Sequence, residues 1–421
     1  MKILIVGNGA REHAIAWKIN QSPLVDCLYV APGNAGTAKV ATNIPILPTD
    51  IEGQASAAIE YGIDLTIVGP EAPLAAGIVD YFYDRGLAVF GPTKSAARIE
   101  SSKVFAKQLM TTHGIPTGRA EIFDSYSEAR SYVNSQTYPV VVKADGLAAG
   151  KGVTVARTKE EAMKALNECM VERIFGAAGD RVILEECLTG KEISIFTFTD
   201  GESMSPFVAA CDYKRAYDGD KGPNTGGMGS YSPPEFWTAE LEREILETIM
   251  RPIVNALAQT GSPYKGVLYG GLMCTENGPK VIEFNCRMGD PETQVILPRL
   301  TTDLVKIMLS VTNGTLNETP IEWSSEACVG VVMASEGYPG DYTTGISISG
   351  LAQASDNGLV FHAGTKQVHE DISDTITNGG RVLTVVGRGP KIDTARTQAY
   401  ESIARIQIDG GFYRRDIAAV I

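Results

Sequence analysis

The chain has 421 residues, 44% of them hydrophobic and 21% charged, with 37 basic side chains against 50 acidic ones and a formal net charge of −13. That length supplies core for roughly two to four domains, and the composition is that of an ordinary globular protein. The acidic balance argues against sequence-independent nucleic-acid binding, although an anionic small molecule needs only local basic groups. Seven scattered cysteines without a C-x-x-C pair fit reduced thiols in a cytoplasm better than a disulfide framework or a zinc site. None of the four histidines stands at metal-ligand spacing. No apolar run reaches membrane-spanning length, and the opening M-K-I-L-I-V is too short for a signal peptide, so no membrane partner is expected.

In chain order, residues 2–6 read as a buried parallel strand that breaks into Gly7-Asn8-Gly9 before a helix starting near Arg11. The pattern opens like a dinucleotide fingerprint and then departs from it. The third glycine of G-x-G-x-x-G falls on Glu12, and the next strand (27–31) runs into Pro32-Gly33-Asn34 with no carboxylate for an adenosine ribose. This argues against a dinucleotide but keeps the logic of a crevice at the carboxyl ends of parallel strands. Its loops are 7–12, 32–37 and 69–71, the last following a strand at 64–68. Asn8, Arg11 and the loop amides are donors suited to a phosphorylated, hydroxylated molecule. A plain structural layer with Arg11 and Glu12 in a solvated helical turn is the alternative.

The layer closes near residues 88–91, and a helix capped at Ser101-Ser102 carries Lys103 and Lys107. A small α/β lobe follows, with a strand at 121–123, a helix at 126–134 and then V-V-V-K-A-D-G-L-A-A-G-K-G-V over 140–153. Here two short strands (140–142 and 153–156) flank Lys143, Gly146, Gly150, Lys151 and Gly152. Glycine lets backbone amides approach an anion and lysine neutralises it, which is the chemistry of a phosphate cradle. It is not a Walker A loop, because Gly152 replaces the hydroxyl and a strand follows in place of a helix. After a helix (159–169) and a strand (181–185), Glu185-Glu186-Cys187-Leu188 ends in a turn that frees backbone groups for an adenine edge. A nearby acid can accept from ribose hydroxyls, and an ordinary hairpin with exposed acids is the alternative.

Residues 212–229 form a long loop that mixes Asp212, Lys214, Arg215, Asp218 and Lys221 with glycines, too long for a simple connector. A helix (239–258) then leads to strands at 266–273 and 280–285. On the second strand Glu283 and Asn285 are two residues apart and share a face. A carboxylate with an amide oxygen is a hard-oxygen pair suited to Mg²⁺. Arg287 shares that face if the strand continues, where it would brace a phosphate or carboxylate. The alternation with Ile282 and Phe284 supports this over an idle polar strand end. From 327 onward the sequence predicts strands at 328–334, 346–349, 359–362 and 381–387 and a helix at 393–406. With few grouped titratable residues, this region is assigned a supporting role.

Six ordered blocks carry a family resemblance: G-N-G-A-R-E-H-A (7–14), P-G-N-A-G-T-A (32–38), G-P-E-A-P-L (69–74), V-V-K-A-D-G-L-A-A-G-K-G-V (141–153), D-G-D-K-G-P-N-T-G-G-M-G (218–229) and E-F-N-C-R-M-G-D-P-E-T-Q (283–294). The chain resembles the ATP-grasp ligases and, along essentially its full length, the phosphoribosylamine–glycine ligase family. Ala10 departs from a glycine usual there. The resemblance implies an α/β fold: a Rossmann-like substrate domain (1–100), an ATP-grasp domain (101–325, inserted lobe about 118–190) and a small mixed-sheet C-terminal domain (326–421). It implies ATP-dependent joining of glycine to 5-phosphoribosylamine through glycyl phosphate, giving glycinamide ribonucleotide, ADP and phosphate in purine biosynthesis.

By family position, Lys103 and Lys143 would hold ATP phosphates beside Gly146, Gly150, Lys151 and Gly152. Glu185, Glu186 and Leu188 would face adenine, Glu192 the ribose, and Glu283 and Asn285 the Mg²⁺ (or Mn²⁺). Asn8, Arg11, Glu12, Asn34, Glu71 and Asn224 would bind substrate, and Asp212, Lys214 and Arg287, with Lys143, would act around the reacting glycine. The 144–152 loop is expected to close over the phosphates. Partners are small molecules only, and a cytoplasmic monomer is expected. The alternatives are another ATP-grasp carboxylate–amine ligase or carboxylase, or a catalytically silent nucleotide-binding protein.

Overall fold

The structure is a computed structural model that describes residues 1–148, 152–368 and 375–419. Strand Lys2–Gly7 opens a five-stranded parallel sheet in the order Thr42–Asn43, Cys27–Pro32, Lys2–Gly7, Leu65–Val68, Val89–Phe90. Its unbroken run Ile3-Leu4-Ile5-Val6 is fully buried because both faces are covered. Leu4 and Val6 enter one core and Ile3 and Ile5 another. The strand order reverses at Lys2–Gly7, which places the loops after this strand and its two neighbours around one crevice.

The small lobe is a four-stranded antiparallel sheet ordered Ala120–Phe123, Val182–Glu186, Val140–Ala144, Val153–Ala156. Strand periodicity divides its residues. Val140, Val142 and Ala144 pack with Ala129, Val133, Ala162 and Leu166 of the helices Tyr126–Asn134 and Lys159–Leu166, which leaves Val141 and Lys143 on the opposite face. The helix expected over 159–169 ends at Leu166 and continues as a π turn, Asn167–Val171.

The central sheet has eight antiparallel strands: Gly278–Asn285, Gly266–Thr275, Lys191–Thr199, Val208–Asp212, Gly229–Ser232, Ala327–Ala334, Arg381–Gly389 and Leu359–His362. The last three come from the C-terminal region, which therefore extends the central sheet and is covered by the helix Ile392–Ile403. The loop expected over 212–229 is largely paired: Arg215–Tyr217 and Lys221–Asn224 form a hairpin whose turn holds Gly219 and Asp220 at φ +69° and +56°. Positive φ at successive turn residues is what a tight hairpin of this kind needs, and Gly and Asp supply it. The N-terminal layer is joined to the C-terminal strands where His362 N–H donates to His13 Nδ1 (2.8 Å) and Asn34 Nδ2 donates to His362 C=O (2.8 Å).

Candidate active site

A cleft of about 1330 Å³ opens between the small lobe and the edge of the central sheet. Val141, Val153 and Val155 wall one side, and Leu188, Met273 and Ile282 the other, an apolar slot fit for a planar base. Leu188 N–H has no hydrogen-bond partner among the described residues, as an adenine edge would require. Glu186 lines the slot, accepting from Arg119 N–H (3.1 Å) with Lys280 at 3.9 Å. Glu185, expected at the adenine, also lines the cleft, yet its carboxylate is buried between the ammonium groups of Lys107 and Lys143. Its physical effect is to fix Lys143, which also donates to Ile282 C=O at 3.0 Å. Gly146 sits at φ +149° with Ala178 packed where a side chain would go. Gly152 closes the hairpin by accepting from Ala144 N–H (2.9 Å), while Gly150 and Lys151 lie outside the described residues.

Glu283 and Asn285 project beside this lysine, opposite Gly271 and Tyr269 of the neighbouring strand. A bulge at Ile282 breaks the alternation expected from sequence. Val281 and Phe284 enter the core, whereas Ile282 lines the cleft. Burial pushes the Glu283 carboxyl up, but the ammoniums of Lys103, Lys214 and Lys143 and the Arg287 guanidinium outweigh it and hold the group down to about 2. Its direct partner, Lys103, is 3.7 Å away. The Asn285 amide has no hydrogen-bond partner among the described residues, and among them no three His, Cys, Asp or Glu side chains are arranged to hold a metal ion by themselves. An ionised carboxylate with an uncommitted amide oxygen fits a divalent cation whose remaining ligands are phosphates and water.

Behind this pair lies a second charge cluster. Lys214 pairs with Glu192, and Asp212 is pushed up to about 8 by burial, with Lys214 opposing and Glu292, Glu192 and Glu283 reinforcing the rise. Glu292, buried and raised in the same direction by burial, accepts from Ser194 Oγ at 3.0 Å. Asn224, exposed at the hairpin end opposite Arg215, also lines the cleft.

The N-terminal crevice is built differently. Glu12 Oε2 accepts from Gly9 N–H (2.6 Å), and side chains at Gly7 or Gly69 would overlap the Glu12 carboxylate, so those two loops close around it. Arg11 pairs with Glu12 (2.5 Å) and donates to Met288 C=O (3.2 Å). Asn34 is spent on the loops: its Oδ1 accepts from Gly36 and Thr37 N–H (2.8 and 3.1 Å), and its Nδ2 donates to Asn8 C=O (2.9 Å). The loop amides expected as donors are mostly committed as well, since Gly9, Gly33, Asn34, Gly36 and Thr37 all donate within the protein. Asn8 remains exposed, and the N–H groups of Ala10 and Arg11 at the start of helix Ala10–Ile19 have no partner among the described residues.

Crevice and cleft meet at Arg287. Beyond the strand end it pairs with Glu71 (3.2 Å) and buried Glu100 (2.9 Å), and Arg11 lies 3.9 Å from the same Glu71 oxygen. Burial pushes Glu71 up, but Arg287 and Arg11 hold it at about 2.

Family models named for phosphoribosylglycinamide synthetase match three consecutive stretches: the N domain at 1–100, the ATP-grasp (A) domain at 101–293 and the C domain at 328–420. The chain belongs to the phosphoribosylglycinamide synthetase family. It is 52% identical over 420 residues to the phosphoribosylamine–glycine ligase of Halalkalibacterium halodurans, covering 100% of this chain and 97% of that one. The crystal structure of the Thermotoga maritima phosphoribosylamine–glycine ligase superposes with a TM-score of 0.85 at 33% identity, covering 99% of this chain and 100% of that one. The biotin carboxylase domain of Hydrogenobacter thermophilus 2-oxoglutarate carboxylase, solved with ADP and magnesium, shares the fold, with a TM-score of 0.71 at 18% identity over 98% of this chain and 91% of that one. A phosphoribosylglycinamide synthetase is an ATP-grasp enzyme, a class that uses ATP with a divalent metal.

Sequence reasoning placed Lys107 on its helix without a role and did not single out Glu100 or Glu292. All three are buried charged groups with partners distant in sequence, and Glu292 alone sat inside a quoted motif. The C-terminal region, expected to be only supporting, contributes Ile392, Arg414, Asp416 and Ala418 to the cleft wall. Among the described residues no helix is long and apolar enough to cross a membrane.

Proposed function

We propose that the chain joins glycine to 5-phosphoribosylamine with ATP, releasing ADP and phosphate. The juxtaposition of the cleft's phosphate side with the crevice through Arg287, Glu71 and Arg11 carries this reading. A glycine carboxylate oxygen attacks the γ-phosphorus, ADP leaves, and glycyl phosphate forms. The amine of phosphoribosylamine then attacks the acyl carbon, phosphate departs with the former carboxylate oxygen, and the amine loses a proton. No side-chain nucleophile is required, so positioning and charge neutralisation do the chemistry.

In this reading Lys103 and Lys143 neutralise the phosphates; the loop expected to close over them includes residues 149–151, which lie outside the described residues. The Val141/Val155/Ile282 slot takes adenine and Glu192 the ribose. Glu283 and Asn285 hold Mg²⁺ or Mn²⁺, which supplies charge neutralisation at the phosphates when bound. Asp212 and Lys214 orient glycine, and Arg287 bridges toward the acyl group. The sugar phosphate lies at Asn8 and the free N–H groups of helix Ala10–Ile19, where a helix start favours an anion. Arg11 and Glu71 frame that end. The free thiols and the small-molecule substrates are in keeping with a cytoplasmic monomer. Incubation with ATP and labelled glycine tests the reading: label should enter a ribonucleotide only with phosphoribosylamine present, and equal activity with alanine or bicarbonate in place of glycine would contradict it.

A further inference from the structure

We propose that Arg414, in the C-terminal region, is a positioning residue for the glycine end of the site, acting through Tyr213; this rests on the reading that Asp212 and Lys214 orient glycine. The residues D-Y-K-R at 212–215 alternate. Asp212 and Lys214 turn to the charge cluster with Glu192 and Glu283, while Tyr213 turns the other way and packs against the C-terminal core. Arg414, 2% exposed although it borders the cleft, holds its guanidinium 4.9 Å from the Tyr213 ring centre. It grips Asp416 with two parallel bonds (2.8 and 2.7 Å) and donates to Arg215 C=O (2.9 Å), the residue after Lys214.

The surroundings reinforce that grip from both ends of the hairpin. Asp416 Oδ2 accepts from Gly219 N–H (2.8 Å), Asp218 Oδ1 from Arg415 N–H (2.7 Å), and Tyr213 Oη from Ala418 N–H (2.9 Å). The tail itself is fixed to helix Ile392–Ile403, because Tyr400 Oη donates to Arg414 C=O (2.8 Å) and Arg396 donates to Arg415 and Ile417 C=O (2.7 and 3.0 Å). A planar fork that holds a carboxylate and a carbonyl at once cannot be replaced by a point charge. The register of Asp212 and Lys214 is therefore set from behind, through the Tyr213 ring and the Arg215 carbonyl.

The test is steady-state kinetics on the full chain for Arg414→Met, Arg414→Lys, the double change Arg414→Met/Asp416→Asn, and Tyr213→Phe. Arg414→Met should raise KM for glycine and lower kcat/KM for glycine by about tenfold to a hundredfold, the scale of a misplacement near 1 Å, with KM for phosphoribosylamine little changed. Arg414→Lys should recover only part of the loss, and Tyr213→Phe should show the same glycine-selective pattern more weakly. Wild-type glycine kinetics in folded Arg414→Met would overturn the inference. So would an equal rise in both substrates' KM together with a lowered melting temperature, which marks a merely structural role. If Arg414→Met does not fold, the double change and Tyr213→Phe decide, and unchanged glycine KM in both overturns it. A wild-type chain that incorporates no glycine would overturn the ligase reading itself, and this inference with it.

Discussion

The nucleotide cleft and the N-terminal crevice contain the same kinds of polar side chain and use them in opposite ways. Beside the cleft, Glu283 has Lys103 at 3.7 Å as its one ion-pair partner and buried Asn285 is uncommitted among the described residues, so both keep oxygens free. In the crevice, Glu12 is engaged by Gly9 N–H and Arg11, Asn34 by loop amides and carbonyls, and Arg11 by Glu12 and a carbonyl. In the proposed reading the cleft is a site whose side chains are the ligands. The crevice is then a cup whose side chains hold the backbone in shape and leave a few backbone donors and Asn8 for the substrate. Residue type in a motif therefore says that a position matters before it says to what.

The largest break of this contrast is Glu283→Gln. It should lower turnover with ATP by about a thousandfold, on the scale of a lost charge-stabilising group, with little change in the melting curve. Turnover measured against metal concentration checks it. Arg287→Met should act on both regions at once, because it strips the partner from buried Glu100. A loss of about 3–5 kcal/mol in denaturant unfolding is expected, together with reduced activity. Asn34→Ala should cost about 2–3 kcal/mol by orphaning buried loop amides, and it should raise KM for phosphoribosylamine while KM for ATP stays put.

An effect confined to acid pH, and absent at neutral pH, sharpens how the crevice is held to the C-terminal strands. Burial, with Lys39 nearby, lowers His13 from 6.5 to about 3, and burial lowers His362 as well. The folded chain therefore binds fewer protons than the unfolded one in that window. Stability should be full above about pH 6.5 and fall toward pH 3, with each histidine adding a slope of up to about 1.4 kcal/mol per pH unit. His13→Gln should flatten the slope between pH 6.5 and 5 in denaturant titrations; an unchanged slope would remove His13 from the account.

Much of this was legible in the sequence where local periodicity decides the outcome. Val153–Ala156, Tyr126–Asn134 and Leu359–His362 fall where the residues predict, and Glu283 and Asn285 share a face as two-residue spacing requires. The remainder depends on contacts that no local pattern encodes. Glu185 is claimed by Lys107 across 78 residues, and Glu100 meets Cys286 N–H across 186. Ile282 reaches the cleft only because of a bulge, which an alternating sequence conceals. Arg414 carries no mark in the sequence because its partners in the 215–220 hairpin lie nearly two hundred residues earlier.

The central claim is that one carboxylate, activated by phosphoryl transfer, is passed between the two regions. Glycine carrying ¹⁸O in both carboxylate oxygens, with ATP and phosphoribosylamine, tests it most directly by mass analysis of phosphate and ribonucleotide. The account predicts one ¹⁸O in each inorganic phosphate released and one in the new amide of the product. Phosphate free of ¹⁸O while labelled ribonucleotide forms would contradict it.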